Sequence, residues 1–301
     1  VSLVVKDVTG DIDPCTTGIV TVNYPLTMKL VADIYPGSGS SDPTEKYVYN
    51  GKMYLGASDG TNGYELWSYD GNSVSVMDMN PGVSSSYPSG FGAFNGKMFL
   101  GMLIDTAKGN ELYSFDGTNF TLEDDIATGN GSSNPEAWGS PVVNSELVIT
   151  ARTASAGREL WTFDGSTATL AQDINPGPGS SNPWGVVTWN NKAYFNAQPG
   201  ALSQTQLFSF DGSTVAQLTN YGVNVSGFMT EPVVFQNELF FAGFDTTSGR
   251  ELWSYDGTSA SLVHDIVPGS GDGGPEFLTH YNGALYMIVS ISNAYDEIWS
   301  Y

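Results

Sequence analysis

Apolar and polar positions alternate along most of this chain in short runs, and each run is closed by Gly, Asn, Asp or Pro. Period-two alternation bounded by turn residues is the pattern of β-strands. Residues 183–218 show the unit best. Pro183 opens an apolar stretch, Trp184–Trp189, that predicts an innermost strand, since Pro is tolerated at a strand's first residue. Asn190-Asn191 predicts a tight hairpin turn, as do Asn50-Gly51, Asn95-Gly96 and Asn282-Gly283, because Asn and Gly accept the positive φ of such turns. Lys192–Ala197 alternates apolar and polar as a second strand, and Gln206–Phe210 reads as a third. Asp211-Gly212 turns the chain into a fourth strand, Val215–Leu218, and a polar loop leads to the next Pro.

This unit recurs. The third strand and its turn appear as Glu65-Leu66-Trp67…Asp70-Gly71, Glu111-Leu112-Tyr113…Asp116-Gly117 and Glu159-Leu160-Trp161…Asp164-Gly165. They return as Gln206-Leu207-Phe208…Asp211-Gly212, Glu251-Leu252-Trp253…Asp256-Gly257 and the terminal Glu297-Ile298-Trp299. Successive Asp-Gly steps lie 46, 48, 47 and 45 residues apart, and the opening Pro recurs at Pro43, Pro88, Pro135, Pro183, Pro232 and Pro275. A four-strand unit with a period in the forties predicts a β-propeller, in which each repeat is one blade. The expected fold is all-β: six four-stranded antiparallel blades over residues 28–301, after an N-terminal extension or arm over 1–27. Fourth strands are expected at Val74–Met79, Phe120–Ile126, Ala168–Ile174 and Ala260–Ile266, and another at Met28–Ile34, ahead of the first blade. The last repeat stops at Tyr301 without a fourth strand, so residues 28–34 are expected to complete it and close the ring, removing two sheet edges. Ser2–Val8 resembles another fourth strand and Gly18–Asn23 reads as a strand, which leaves seven blades as the alternative.

Composition narrows the partners. Only 14% of residues are charged, and 10 basic against 32 acidic residues give a formal charge of −22. Such a surface repels phosphate backbones and anionic membranes, and suits divalent cations or neutral ligands. No nucleic-acid partner is expected, and no apolar run approaches the ~18 residues that membrane insertion needs. Cys15 is the single cysteine, so it is a buried thiol or a link between chains, which would let the N-terminal arm serve self-assembly. A first residue of Val rather than Met is compatible with removal of a secretion signal.

The Glu-Leu-Trp-x-x-Asp-Gly signature, preceded by Asp-Ile-Asn-Pro-Gly-x-Gly-Ser-Ser (complete at 173–181), resembles the ELWxxDGT repeat of secreted and surface proteins. The likeness covers about residues 28–301, with Tyr113 and Phe208 in place of Trp and Gln206 in place of Glu. The resemblance implies an extracellular or cell-surface propeller, often part of larger adhesive or matrix proteins, and it carries no common catalytic residue.

Loops after second and fourth strands share one face of a propeller. That face brings together Glu65 with Asp78, Glu111 with Asp125, Glu159 with Asp173, Glu251 with Asp265 and, through ring closure, Glu297 with Asp33. Opposed carboxylates repel. The offset must come from loop amides, as in an Asx-type turn, or from a hard cation such as Ca²⁺, which takes six to eight oxygens at roughly 2.3–2.6 Å. In the fourth repeat both charges vanish together, Glu becoming Gln206 and Asp becoming Thr219 or Asn220. Arg158 and Arg250 adjoin two of the glutamates and join the candidate ligand contacts. Trp67, Trp161, Trp253 and Trp299 recur at one position and read as inter-blade core, whereas Trp138, Trp184 and Trp189 do not recur and are either core packing, the favoured reading, or candidate platforms for sugar rings. His280 with Tyr281 or Tyr286 is the nearest approach to a proton-abstracting lyase site, though an acidic protein is badly matched to a uronate polymer. The expectation is therefore a non-enzymatic propeller that binds glycan or surface protein ligands in adhesion or matrix contacts. The alternatives are a structural subunit of a surface assembly and a polysaccharide lyase-type enzyme.

Overall fold

The computed structural model describes residues 29–200, 205–220, 231–291 and 295–301. The chain divides into two units, Val1–Asp33 and Ile34–Tyr301. Cys15, Ser2–Val8 and Gly18–Asn23 lie outside the described residues.

Six antiparallel sheets follow one another in the second unit. The first is built from β1 (Thr44–Tyr49), β2 (Lys52–Ser58), β3 (Tyr64–Tyr69) and β4 (Val74–Met77). The second has β5 (Ser89–Phe94), β6 (Lys97–Leu103), β7 (Asn110–Phe115) and β8 (Phe120–Asp124). The third has β9 (Val142–Val143), β10 (Glu146–Thr153), β11 (Gly157–Phe163) and β12 (Ala168–Gln172). The fourth has β13 (Trp184–Trp189), β14 (Lys192–Ala197), β15 (Gln206–Phe210) and β16 (Val215–Gln217). The fifth has β17 (Val233–Phe235), β18 (Glu238–Asp245), β19 (Gly249–Tyr255) and β20 (Ala260–His264). The sixth has three strands among the described residues, β21 (Glu276–Tyr281), β22 (Ala284–Ile291) and β23 (Tyr295–Ser300). Each sheet is a meander whose neighbours in sequence are neighbours in space.

Turn chemistry explains the meander. Both central residues of every first hairpin have positive φ, as at Asn50 (47°) and Gly51 (74°), and Gln236-Asn237 and Asn144-Ser145 take the same geometry without glycine. At the other end Asp70 Oδ1 accepts the N–H groups of Asn72 and Ser73, and Asp116, Asp164, Asp211 and Asp256 repeat that clamp.

The core lies between sheets. Tyr49, Tyr54 and Leu66 of the first sheet pack on Met98, Leu100 and Phe115 of the second. Similar clusters join the second sheet to the third, the third to the fourth, the fourth to the fifth and the fifth to the sixth. A sheet packed on both faces buries both sides of its middle strands. This corrects the alternation read into Lys192–Ala197: past Lys192 every residue of β14 is buried.

Of the expected closing strand Met28–Ile34, Met28 lies outside the described residues. Residues 29–33 are in no strand, and Leu30 is 75% exposed. Ile298 on β23 is 77% exposed. The four matched fourth strands also end two residues early, at Met77, Asp124, Gln172 and His264. Two residues past each end, the N–H of Met79, Ile126, Ile174 or Ile266 turns to a buried glutamate.

Candidate functional site

In the first five sheets the first residue of the Glu-Leu-Trp-like triplet lies on the third strand with its side chain buried, and Glu65, Glu111, Glu159 and Glu251 are all fully buried. Glu159 Oε1 accepts the Ser181 N–H at 2.7 Å, while Oε2 accepts the Ser181 hydroxyl at 2.5 Å and the Ile174 N–H at 2.9 Å. Glu65 receives the same three donors from Ser86 and Met79, and Glu111 from Ser133 and Ile126. Glu251 takes the N–H groups of Gly273 and Ile266, both at 2.8 Å. Burial raises the carboxyl pKa of all four, against the pull of these hydrogen bonds.

Each glutamate thus ties together the two ends of the loop that leads to the next sheet. Of the two offsets that the sequence left open, amide and hydroxyl donors take the glutamate oxygens. The serines doing this, Ser86, Ser133 and Ser181, stand two residues before Pro88, Pro135 and Pro183 in Ser-Ser-Ser or Gly-Ser-Ser loops. The serine just before also works: Ser85, Ser132 and Ser180 accept the N–H of Tyr64, Asn110 and Arg158, and Asp272 does so for Arg250. In the fourth sheet the Gln206 carbonyl accepts the Thr219 hydroxyl at 3.0 Å, and the Thr219 oxygen accepts the Leu207 N–H. The joint loss of charge read from the sequence is therefore one direct contact.

Asp78, Asp125, Asp173 and Asp265 stand beside these cradles. Asp173 and Asp265 accept the N–H of Gly177 and Gly269 four residues on, and Asp125 pairs with Lys108 at 2.8 Å. The other oxygen, Oδ1, of all four is buried without a hydrogen-bond partner among the described residues. No group of three or more His, Cys, Asp or Glu converges as a metal cage among those residues. Glu297 and Asp33, the fifth expected pair, are each exposed and belong to different units.

Two acidic turn residues escaped the sequence reading. Asp245 accepts the N–H groups of Thr247 and Ser248, and the Ser248 hydroxyl is the largest influence that lowers its pKa to about 2. At Asp59 burial acts upward, but hydrogen bonds from Asn62 and Thr61 outweigh it and leave the pKa at about 2. Their signal was an Asp four residues before a Gly in the turn between second and third strands.

The candidate ligand contacts separate clearly. Arg158 Nη1 lies 3.0 Å from Glu136 Oε2 and donates to Thr150 Oγ1, while its Nη2 donates to the Asn134 carbonyl. Arg250 lies 3.3 Å from Glu276. Both guanidiniums therefore brace the start of an innermost strand. Trp189 is buried, packs edge-on against Tyr255 and donates to Asn237, so it is core and not a platform. Trp184 is half-buried against the same cluster. Trp138 is 47% exposed near the start of the third sheet's innermost segment, with Nε1 3.5 Å from Glu45 Oε2. Glu45 also accepts the Gly90 N–H, and Ala137 donates to the Gly90 carbonyl, so three successive innermost segments meet beside this indole. His280, Tyr281 and Tyr286 lie at the hairpin end of β21 and β22, opposite the loop face, which separates them from the cradles and from Trp138.

The sequence matches no protein-family profile and no curated relative. Solved structures share the fold. A prolyl endopeptidase is 10% identical, with a TM-score of 0.52 over 87% of this chain and 41% of the other. A puromycin-hydrolyzing peptidase from Mycobacterium tuberculosis is 10% identical, with a TM-score of 0.51 over 89% and 46%. The β-propeller domain of the Trilobed protease from Pyrococcus furiosus is 9% identical, with a TM-score of 0.45 over 86% and 81%. This is an all-β propeller-type fold. The chain spans less than half the length of the two peptidases. The expectation of a non-enzymatic protein is corrected: the prolyl endopeptidase and the puromycin-hydrolyzing peptidase, which share this fold, are enzymes. At such low identity the likeness is one of fold, and no activity comes across with it.

Proposed function

We propose that this chain is a six-bladed propeller whose loop face binds a glycan, with Trp138 as the stacking platform, in an extracellular or cell-surface setting. The exposed indole carries the reading. An aromatic face stacks on the C–H face of a sugar ring, and a neighbouring carboxylate accepts a sugar hydroxyl. Glu45 is placed for that second role. The charge of −22 adds to it by disfavouring polyanions and leaving neutral saccharides unopposed. The ELWxxDGT resemblance supports the location and the ring count. For the ring, the supporting observation is Ile34, which packs with Leu55, Ala57 and Trp67 as Ile126, Ile174 and Ile266 pack at the ends of other fourth strands.

A glycan array run with the wild type and Trp138→Ala, each with and without EDTA, tests the reading. Saccharide signals on the wild type that fall at least tenfold in Trp138→Ala are expected. Loss of signal in EDTA would place a cation on the unpartnered aspartate oxygens, whereas a blank array under every condition removes the glycan reading.

A further inference from the structure

Arg152 and Arg158 stand directly opposite one another where β10 pairs with β11. Directly opposed like charges weaken a strand pair, and both side chains of such a pair leave the same face of the sheet. At the equivalent place the other sheets put Ser58 against Tyr64, Leu103 against Asn110, Phe244 against Arg250 and Ser290 against Asp296. Only the third sheet opposes two charges of one sign there, among the described residues. Arg158 is neutralised by Glu136, as described above. Arg152 is exposed, and no carboxylate neutralises it among the described residues. A chain with 32 acidic and 10 basic side chains has carboxylates to spare, yet among the described residues none is placed on this guanidinium.

Arg152 lines a half-open groove of about 540 Å³ between the loop after β8 and the turn from β10 to β11. That volume falls within the range of small-ligand sites. Thr128, Asn134, Thr153 and Ser155 give the walls hydroxyl and amide groups that both donate and accept, while Ile126 and Ala154 contribute apolar patches. An anion alone would use the guanidinium and leave these walls idle. A sugar ring uses both kinds of surface, its hydroxyls on the polar groups and its C–H face on the apolar ones. We propose that this groove binds a single carboxylate-bearing sugar residue, with the carboxylate held by the Arg152 guanidinium in a two-point contact. A terminal acidic sugar fits, whereas a uronate polymer meets the repulsion of the rest of the surface. This inference rests on the glycan reading and names the chemical class that one part of the loop face selects.

The test is titration calorimetry of the full chain with D-glucuronic acid and N-acetylneuraminic acid, with D-glucose and D-galactose as neutral counterparts and acetate as the bare anion. At least one acid is expected to bind tenfold or more tightly than the neutral sugars and acetate. Arg152→Gln is expected to erase that preference while leaving the melting temperature of the unliganded protein unchanged or higher, because a like-charge opposition is relieved. Equal affinity for acidic and neutral sugars, or a preference that survives Arg152→Gln, overturns the inference and leaves the glycan reading standing. Acetate binding as tightly as the sugar acids overturns the sugar part. No binding of any sugar, together with a blank glycan array, overturns both.

Discussion

Burying a carboxylate is costly unless every lone pair aimed at protein finds a donor. The glutamate cradles meet that condition with donors drawn from both ends of one loop, so a single side chain fixes where a sheet ends and where the next begins. Glu159→Gln is the sharpest probe. One oxygen of Glu159 faces the Ser181 N–H and the other the Ile174 N–H, so either orientation of the amide sets its NH₂ against a backbone donor. One buried N–H is then unmatched, at a cost of about 1–3 kcal/mol, to be read from urea unfolding at neutral pH. The pH dependence has a definite sign. Burial holds the Glu159 pKa above its ordinary value. A carboxyl raised in this way contributes stability below its unfolded pKa (~4.3), and that contribution is lost as pH rises through the folded value. Glutamine does not titrate, so the deficit of the variant should be larger at pH 4 than at pH 8. Melting temperatures at the two pH values check this, and a deficit that grows with pH contradicts it.

Strand spacing carries more information than the sequence pattern alone reveals. Glu and Asp lie 14 residues apart in three repeats and 13 apart in the first. The extra residue is a β-bulge. Leu112, Leu160 and Leu252 pair with Asp124, Gln172 and His264, while the next residues skip to Leu122, Leu170 and Leu262. In the first sheet Leu66 and Trp67 pair with Met77 and Val76 without a skip. Both spacings bring the Asp to the same cradle, so the spacing was legible as a number and its cause was not. A second bulge opens four innermost strands, two residues after the Pro, where Gly90 and Gly185 take φ of 67° and 64°. Glu45 and Phe277 occupy the same place at 33° and 51°. A left-handed conformation costs a residue with a Cβ roughly 1–2 kcal/mol. Phe277 is 73% exposed, so little packing offsets that cost. Phe277→Gly should therefore raise stability by about 1 kcal/mol, measured as a higher urea midpoint at unchanged slope; a lower midpoint would show that contacts of the phenyl ring outweigh the backbone strain. Strand order, turns and recurring core were readable because they depend on neighbours within a few residues. The choice between core and platform at Trp189 stayed open because its burial depends on Tyr255 and Asn237, one sheet away.

At the scale of the whole molecule the unresolved matter is how the last sheet ends. Five interfaces between successive sheets bury aromatic and aliphatic side chains, while β23 leaves Ile298 and Trp299 on an outer edge. Exposed edges bearing apolar side chains are liabilities that folded proteins pair or cover. Register supplies a specific partner. Leu122, Leu170 and Leu262 each lie three residues before the cradle Asp and pair with Tyr113, Trp161 and Trp253. Leu30 lies three residues before Asp33, and Trp299 is the last member of the Trp series, so ring closure predicts Leu30 opposite Trp299. Substituting both with cysteine, in a Cys15→Ser background that removes the native thiol, turns this into a covalent readout. Directly opposed strand residues have Cβ atoms roughly 4.5–5.5 Å apart, near enough for a disulfide under mild oxidation. The expected product is an intramolecular bond, seen as faster migration on a non-reducing gel, with a raised melting temperature that falls on reduction. Moving the first cysteine one residue, to Val31, should abolish it, because the bulge places that residue between partners. A bond that forms only between two chains would assign the open edge to a second copy, and no bond at either position would leave an open array of six sheets. The neighbouring Ile34 already packs on the first sheet, so the first outcome requires only that the few residues before it follow the register of the other repeats.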